Sequence, residues 1–145
     1  MLDKKYKVGI YMENHIYSEY GKMGMGSLRY LENEIVCVID SKYHGNDINN
    51  HHSTLKSVPI VKNLDMAIDF GMEVLILGIA PSGGKIPNDW IPIIKNALSK
   101  KISIVNGLHD LLGQRFKKLI VNKNQWIWDV SCLLYTSDAA DDRVS

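Results

Sequence analysis

Four segments of this chain hold the residue types that do chemistry, and each directly follows an apolar, strand-like run. Asp40 ends the run EIVCVID, where a carboxylate can accept a ribose hydroxyl. Pro81, Ser82, Gly83, Gly84 and Lys85 follow EVLILGIA, the most hydrophobic run. Two glycines there free backbone N–H groups and a lysine adds positive charge, which makes a nest for a phosphate or carboxylate. Asn106, Gly107, His109 and Asp110 follow a third run. His109 is placed to contact a ligand, whereas Asp110 is placed to serve a helix N-terminus. Adjacent helical positions do not face each other, so these two residues are not a ready-made dyad. The fourth segment, residues 13–26, contains Gly21, Gly24 and Gly26.

Several well-defined chemistries are missing from these segments. A dinucleotide fingerprint needs its glycines immediately after the strand, but Gly24 and Gly26 stand far beyond Met12, and Arg29 replaces the third glycine. These glycines read as a turn before a helix. Gly84 and Lys85 are followed by Ile86, so no Walker A motif exists. Ile79 occupies the first glycine position of a Gly-x-Ser-x-Gly elbow, which argues against Ser82 as a nucleophile. His51 and His52 lie in a polar stretch with no second group of ligands, and no metal is expected. No catalytic residue is identified from the residues alone.

The elements that must position these segments alternate in type. Residues 6–12, 34–40, 58–61, 73–80, 102–105 and 125–130 read as strands, apolar on both faces as in a parallel sheet covered by helices. Residues 22–31 hold a short helix. Asn63 caps another, stopped by Gly71. Asn88 opens the clearest one, with Trp90, Ile93, Ile94, Ala97 and Leu98 at helical spacing and Pro92 in the first turn. Residues 108–119 read as a further helix, and 41–57 as a long polar loop. This is the pattern of a Rossmann-like, doubly wound α/β fold with a mainly parallel sheet of about six strands. In such a sheet, ligands sit beyond the carboxyl ends of the strands. The segments 81–85 and 106–110 should therefore lie side by side at one edge, with Asp40 on that edge too.

Composition narrows the partners. The chain has 145 residues, 46% hydrophobic and 23% charged, which suits one soluble domain. Lys and Arg number 17 against 16 Asp and Glu, so no basic stripe for nucleic acid is present. No apolar run approaches the roughly 20 residues of a membrane helix. Cys37 and Cys132 alone give no disulfide framework and point to a reducing cytoplasm. Residues 131–145 (SCLLYTSDAADDRVS) break the preceding rhythm, and Cys132 through Asp142 resembles a translated sequencing-library adapter. The natural domain is thus expected to end near Val130, 131–145 to form no buried part of the fold, and the chain to be an N-terminal fragment.

Taken in order, five motifs resemble one family. They are Leu28-Arg29-Tyr30 followed by IVCVIDS (35–41), GIAPSGG (78–84), NGLHD (106–110) and IWDV (127–130). They resemble the N-terminal domain of the D-glutamate N-acetyltransferase-like proteins. That resemblance implies a Rossmann-like domain joined to a C-terminal P-loop-type domain, and transfer of an acetyl group from acetyl-CoA to a D-amino acid. It assigns no catalytic residue to this segment. The partners expected are the chain's own C-terminal domain, a small-molecule ligand and further copies of itself, with neither nucleic acid nor membrane. A nucleotide-binding or interaction module, or a nicotinamide-dependent epimerase or dehydrogenase-like domain, is the alternative. The fragment alone is expected to be inactive.

Overall fold

The computed structural model describes residues 2–81 and 83–130. Six strands, β1 (Val8–Tyr11), β2 (Ile35–Ile39), β3 (Ile60–Val61), β4 (Val74–Leu77), β5 (Ser103–Asn106) and β6 (Ile127–Asp129), form one sheet in the order β3-β2-β1-β4-β5-β6. Every neighbouring pair is parallel. The α/β Rossmann-like fold read from the sequence is thus the fold observed. All carboxyl ends lie on one edge, and the order reverses between β1 and β4.

Alternation along the strands divides the core in two. Val8, Ile10, Val38, Val74 and Ile76 face one layer, packed with Leu28 of α1 (Lys22–Tyr30) and Ile48 of α2 (Ile48–His51). Tyr11, Cys37, Ile39, Leu75 and Leu77 face the other. That layer holds α3 (Leu64–Asp69), α4 (Ile91–Ser99) and α5 (Leu112–Arg115) through Leu64, Ala67, Ile94, Leu98, Leu112 and Phe116. Burial on both faces explains why the strands carry unbroken apolar runs. It also pushes the Cys37 thiol up to about 12.

Local chemistry sets the helix ends. The Asn63 side chain accepts from Met66 N–H at 3.0 Å, and Gly71 leaves α3 with a left-handed φ of 96°. Within α1, Gly24 is buried against Met12, but a Cβ on Gly26 would meet nothing within 4 Å. Gly26→Ala therefore adds helix propensity without a clash. It should stabilise the fold by about 0.5–1 kcal/mol, read by urea unfolding.

Two sequence expectations fail locally. Residues 108–119 are not one helix: α5 spans Leu112–Arg115, followed by a 3-10 turn at Lys117–Leu119. The backbone before α5 bonds to the Asn106 side chain and to the Gly84 carbonyl instead of closing helical turns. The loop 41–57 contains α2, whose N-cap Asp47 forms a reciprocal capping box with Asn50. Burial pushes the Asp47 carboxyl up, but the Ser57 hydroxyl and the N–H groups of Asn49 and Val58 outweigh it, and its pKa lies below the usual range. A carboxyl lowered on folding stabilises above its unfolded pKa of about 3.9 and loses that contribution as pH falls through the folded value. Asp47→Asn should therefore flatten the acid limb of a Tm-against-pH curve and leave its basic limb unchanged.

Candidate functional site

The carboxyl edge of the sheet brings the two glycine-containing loops together. His109 N–H donates to the Gly84 carbonyl at 3.2 Å, and Ile86 N–H to Asp110 Oδ2 at 3.1 Å. Gly83 and Gly84 have φ values of 86° and 71°, which favour glycine at both positions, and a Cβ on Gly84 would lie 2.9 Å from Cδ2 of the exposed His109 ring, which would have to turn aside. Pro81 and Gly84 are half-buried, whereas Gly83, Lys85 and His109 are exposed. The Gly84 N–H is taken by the Pro81 carbonyl at 3.0 Å, leaving the nest less open than its composition suggests. Ser82 lies outside the described residues.

Asn106 and Asp110 serve the structure of this edge. Asn106 is fully buried; its amide donates to the Asp110 carbonyl (2.8 Å) and to Asp129 Oδ1 (2.7 Å), and its Oδ1 accepts from Leu108 N–H. The carboxylate at the start of α5 is not Asp110. Asp129, from β6, takes Leu112 N–H at 3.0 Å and Gly113 N–H at 2.9 Å. Asp110 instead accepts from Ile86 and pairs with Arg115 at 3.2 Å. Gly107 packs against Met23 of α1.

Asp40 is on the same edge, but β1 separates β2 from β4, roughly 10 Å away at ordinary strand spacing. It is fully buried. Its Oδ1 accepts from Asn14 and Lys42 N–H, both at 3.1 Å, and Oδ2 has no hydrogen-bond partner among the described residues. Asp40 thus clamps the loop after β1. The carboxylate open to the edge is Glu13, which receives the N–H (2.8 Å) and the hydroxyl of Ser41. Glu13 and Ser41 each stand two residues beyond their strands, β1 and β2, a signal readable from the adjacency of those strands.

These residues line a cleft of about 320 Å³ with Tyr11, Ile39, Lys62, Asn63, Leu64, Asp65, Ile93 and Asn96. Tyr11 is 4% exposed, lies edge-on to Trp90 at 5.5 Å, and its hydroxyl makes no hydrogen bond among the described residues. Burial first, then the charges of Glu13, Asp89 and Asp40, push its pKa up, so the hydroxyl remains a donor. Elsewhere, the Tyr17 hydroxyl meets His51 Nδ1 at 2.6 Å and His52 Nε2 lies 2.9 Å from the Ile16 carbonyl, so both histidines make loop contacts, while His51 Nε2 is buried without a hydrogen-bond partner among the described residues.

The switch point between β1 and β4 is filled by the chain itself. Gly24 N–H donates to the Gly78 carbonyl at 3.0 Å, and Ala80 N–H to the Tyr20 carbonyl at 2.8 Å. A dinucleotide fingerprint instead leaves this backbone open to a pyrophosphate.

Comparison with known proteins places this geometry among relatives. Residues 41–133 match a family profile described as a domain of unknown function (DUF1611_N), Rossmann-like domain. A DUF1611 family protein from Anabaena variabilis, solved by crystallography, is 38% identical with a TM-score of 0.81 over 87% of this chain and 37% of that one. A D-glutamate N-acetyltransferase of Pseudoalteromonas is 44% identical over 46 residues, 32% of this chain and 14% of the relative. Another, from Tritonibacter scottomollicae, is 37% identical over 49 residues, 34% of this chain and 15% of the relative. The chain thus matches only a small part of these longer proteins.

Proposed function

The chain belongs to the DUF1611_N family of Rossmann-like domains of unknown function, and we propose that it is the N-terminal domain of a protein that acetylates a D-amino acid from acetyl-CoA. D-Glutamate is the first candidate acceptor. The observation that carries this reading is the 44% identity over 46 residues with a D-glutamate N-acetyltransferase. In acetyl transfer the neutral amine attacks the thioester carbonyl, the C–S bond breaks, CoA leaves as thiolate, and the amine proton passes to a base. The exposed imidazole of His109, seated against Gly84, suits the base. Lys85 beside it suits an anionic group of either substrate. Residues 1–130 then supply one wall of the site and a P-loop-type domain of the full-length parent supplies the other. Cytoplasmic acetyl-CoA places the reaction in the cytoplasm.

The dehydrogenase alternative loses ground at the switch point, where Gly24 and Gly78 are bonded to each other. Acetyl-CoA with D- or L-glutamate, assayed for free thiol, tests the reading. The full-length parent should release thiol with the D-isomer, and this 145-residue chain should release none. A parent that releases no thiol but oxidises or reduces a nicotinamide would overturn it, and thiol release by the chain alone would refute its dependence on the second domain.

A further inference from the structure

The Glu13–Ser41 cleft is separate from the His109 loops, and its chemistry points elsewhere. Its floor is apolar, made by Ile39, Leu64, Ile93 and the Tyr11 ring, and suits a flat aromatic base. Its rim is polar. Each Glu13 oxygen takes one bond from Ser41 and retains a lone pair for a further donor. The Tyr11 hydroxyl has no hydrogen-bond acceptor among the described residues, and Lys62 has no ion-pair partner among them. Asp65, at the exposed rim, is ion-paired with Lys100.

Charge discriminates among ligands. Free glutamate carries two carboxylates and one ammonium: the ammonium would meet Glu13 and one carboxylate Lys62, but the second carboxylate finds no further unpaired cation among the described residues lining the cleft and the apolar floor gains nothing to bury. A nucleoside uses all three features: base on the floor, ribose hydroxyls on Glu13, and a 5′-phosphate toward Lys62. A carboxylate at the ribose selects hydroxyl over phosphate by charge repulsion, which disfavours the 3′-phosphorylated ribose of CoA.

We propose that this cleft binds a purine nucleoside 5′-phosphate with an unmodified ribose diol, a ligand distinct from the acyl donor. The 145-residue chain can be titrated directly by calorimetry with AMP, GMP, 2′,3′-dideoxy-AMP and CoA. Saturable binding of AMP or GMP below ~10 mM is expected. Loss of the diol should weaken it about tenfold, as should Glu13→Gln, the scale of a hydrogen bond to a charged group. CoA should bind at least about tenfold more weakly than AMP, and Glu13→Gln should narrow that gap. Ile93→Trp, checked for folding by circular dichroism, should fill the cleft and abolish binding. Absence of saturable AMP and GMP binding, equal binding of the dideoxy analogue, or preference for CoA or glutamate would each overturn the proposal. Thiol release by the parent is a separate readout: it can succeed while nucleotide binding fails, and the reverse.

Discussion

Asp129→Ala should destabilise the domain by about 3 kcal/mol, measured as the loss of unfolding free energy in urea. One carboxylate takes Leu112 N–H, Gly113 N–H and the Asn106 amide at 3.0, 2.9 and 2.7 Å. A hydrogen bond to a charged acceptor contributes about 1.5–3 kcal/mol, and its loss leaves donors without partners. Asn106 is fully buried and keeps its second bond, to the Asp110 carbonyl, whereas Asp129 is half-exposed and water can replace part of what is lost. The total therefore falls well below three full bonds. Asp129→Asn retains one acceptor oxygen but turns an amide donor toward backbone donors, and should cost about half as much. Because α5 has only four residues and no side-chain cap, this carboxylate is what anchors it. An Asp129→Ala protein as stable as the parent chain, within about 0.5 kcal/mol, would show that α5 is held by packing of Leu112 and Phe116 alone.

The same residue marks where the sequence was legible and where it was not. Period and punctuation revealed every strand and three helices, because full burial on both faces leaves apolar runs, and Asn63, Gly71 and Pro92 act within their own segments. The elements that escaped depend on contacts distant in sequence. Leu108, Leu111, Leu112 and Leu119 have helical spacing, yet Asn106 draws the backbone of residues 108 and 110 into a loop, and His109 N–H goes to Gly84. Nothing near Asp110 says that a carboxylate 19 positions later will take the helix start. At the site, strand ends located the edge correctly and joined residues 81–85 to 106–110. They did not reveal that Asp40 turns inward to hold Asn14 and Lys42 while Glu13 stays open. That choice is made by the local path of two loops after β1 and β2, which periodicity does not encode. The expectation for residues 131–145 lies outside the described residues.

Gly78→Ala should be the more severe of the two changes, costing about 3 kcal/mol or more, or abolishing folding outright. A Cβ there would lie 2.7 Å from Ile10 Cγ2, 2.9 Å from Gly24 Cα and 3.0 Å from the Tyr11 carbonyl. Ile10 is fully buried, and the other two atoms belong to the backbone of β1 and α1, so no side-chain rotation relieves the contact. Overpacking a filled core ordinarily costs about 1–3 kcal/mol. Here the displacement also lengthens two backbone bonds, Gly78 N–H to the Tyr11 carbonyl at 2.9 Å and Gly24 N–H to the Gly78 carbonyl at 3.0 Å. The damage reaches function by two routes, because Gly78 leads into the 81–85 loop beside His109, and Tyr11 lines the nucleoside cleft. If the variant folds at low temperature, AMP binding should weaken together with stability. Gly78→Ala that unfolds at the same urea concentration as the parent chain would mean that α1 can withdraw from β4. The switch point would then be open enough to admit a ligand, and the argument against a dinucleotide would fall with it.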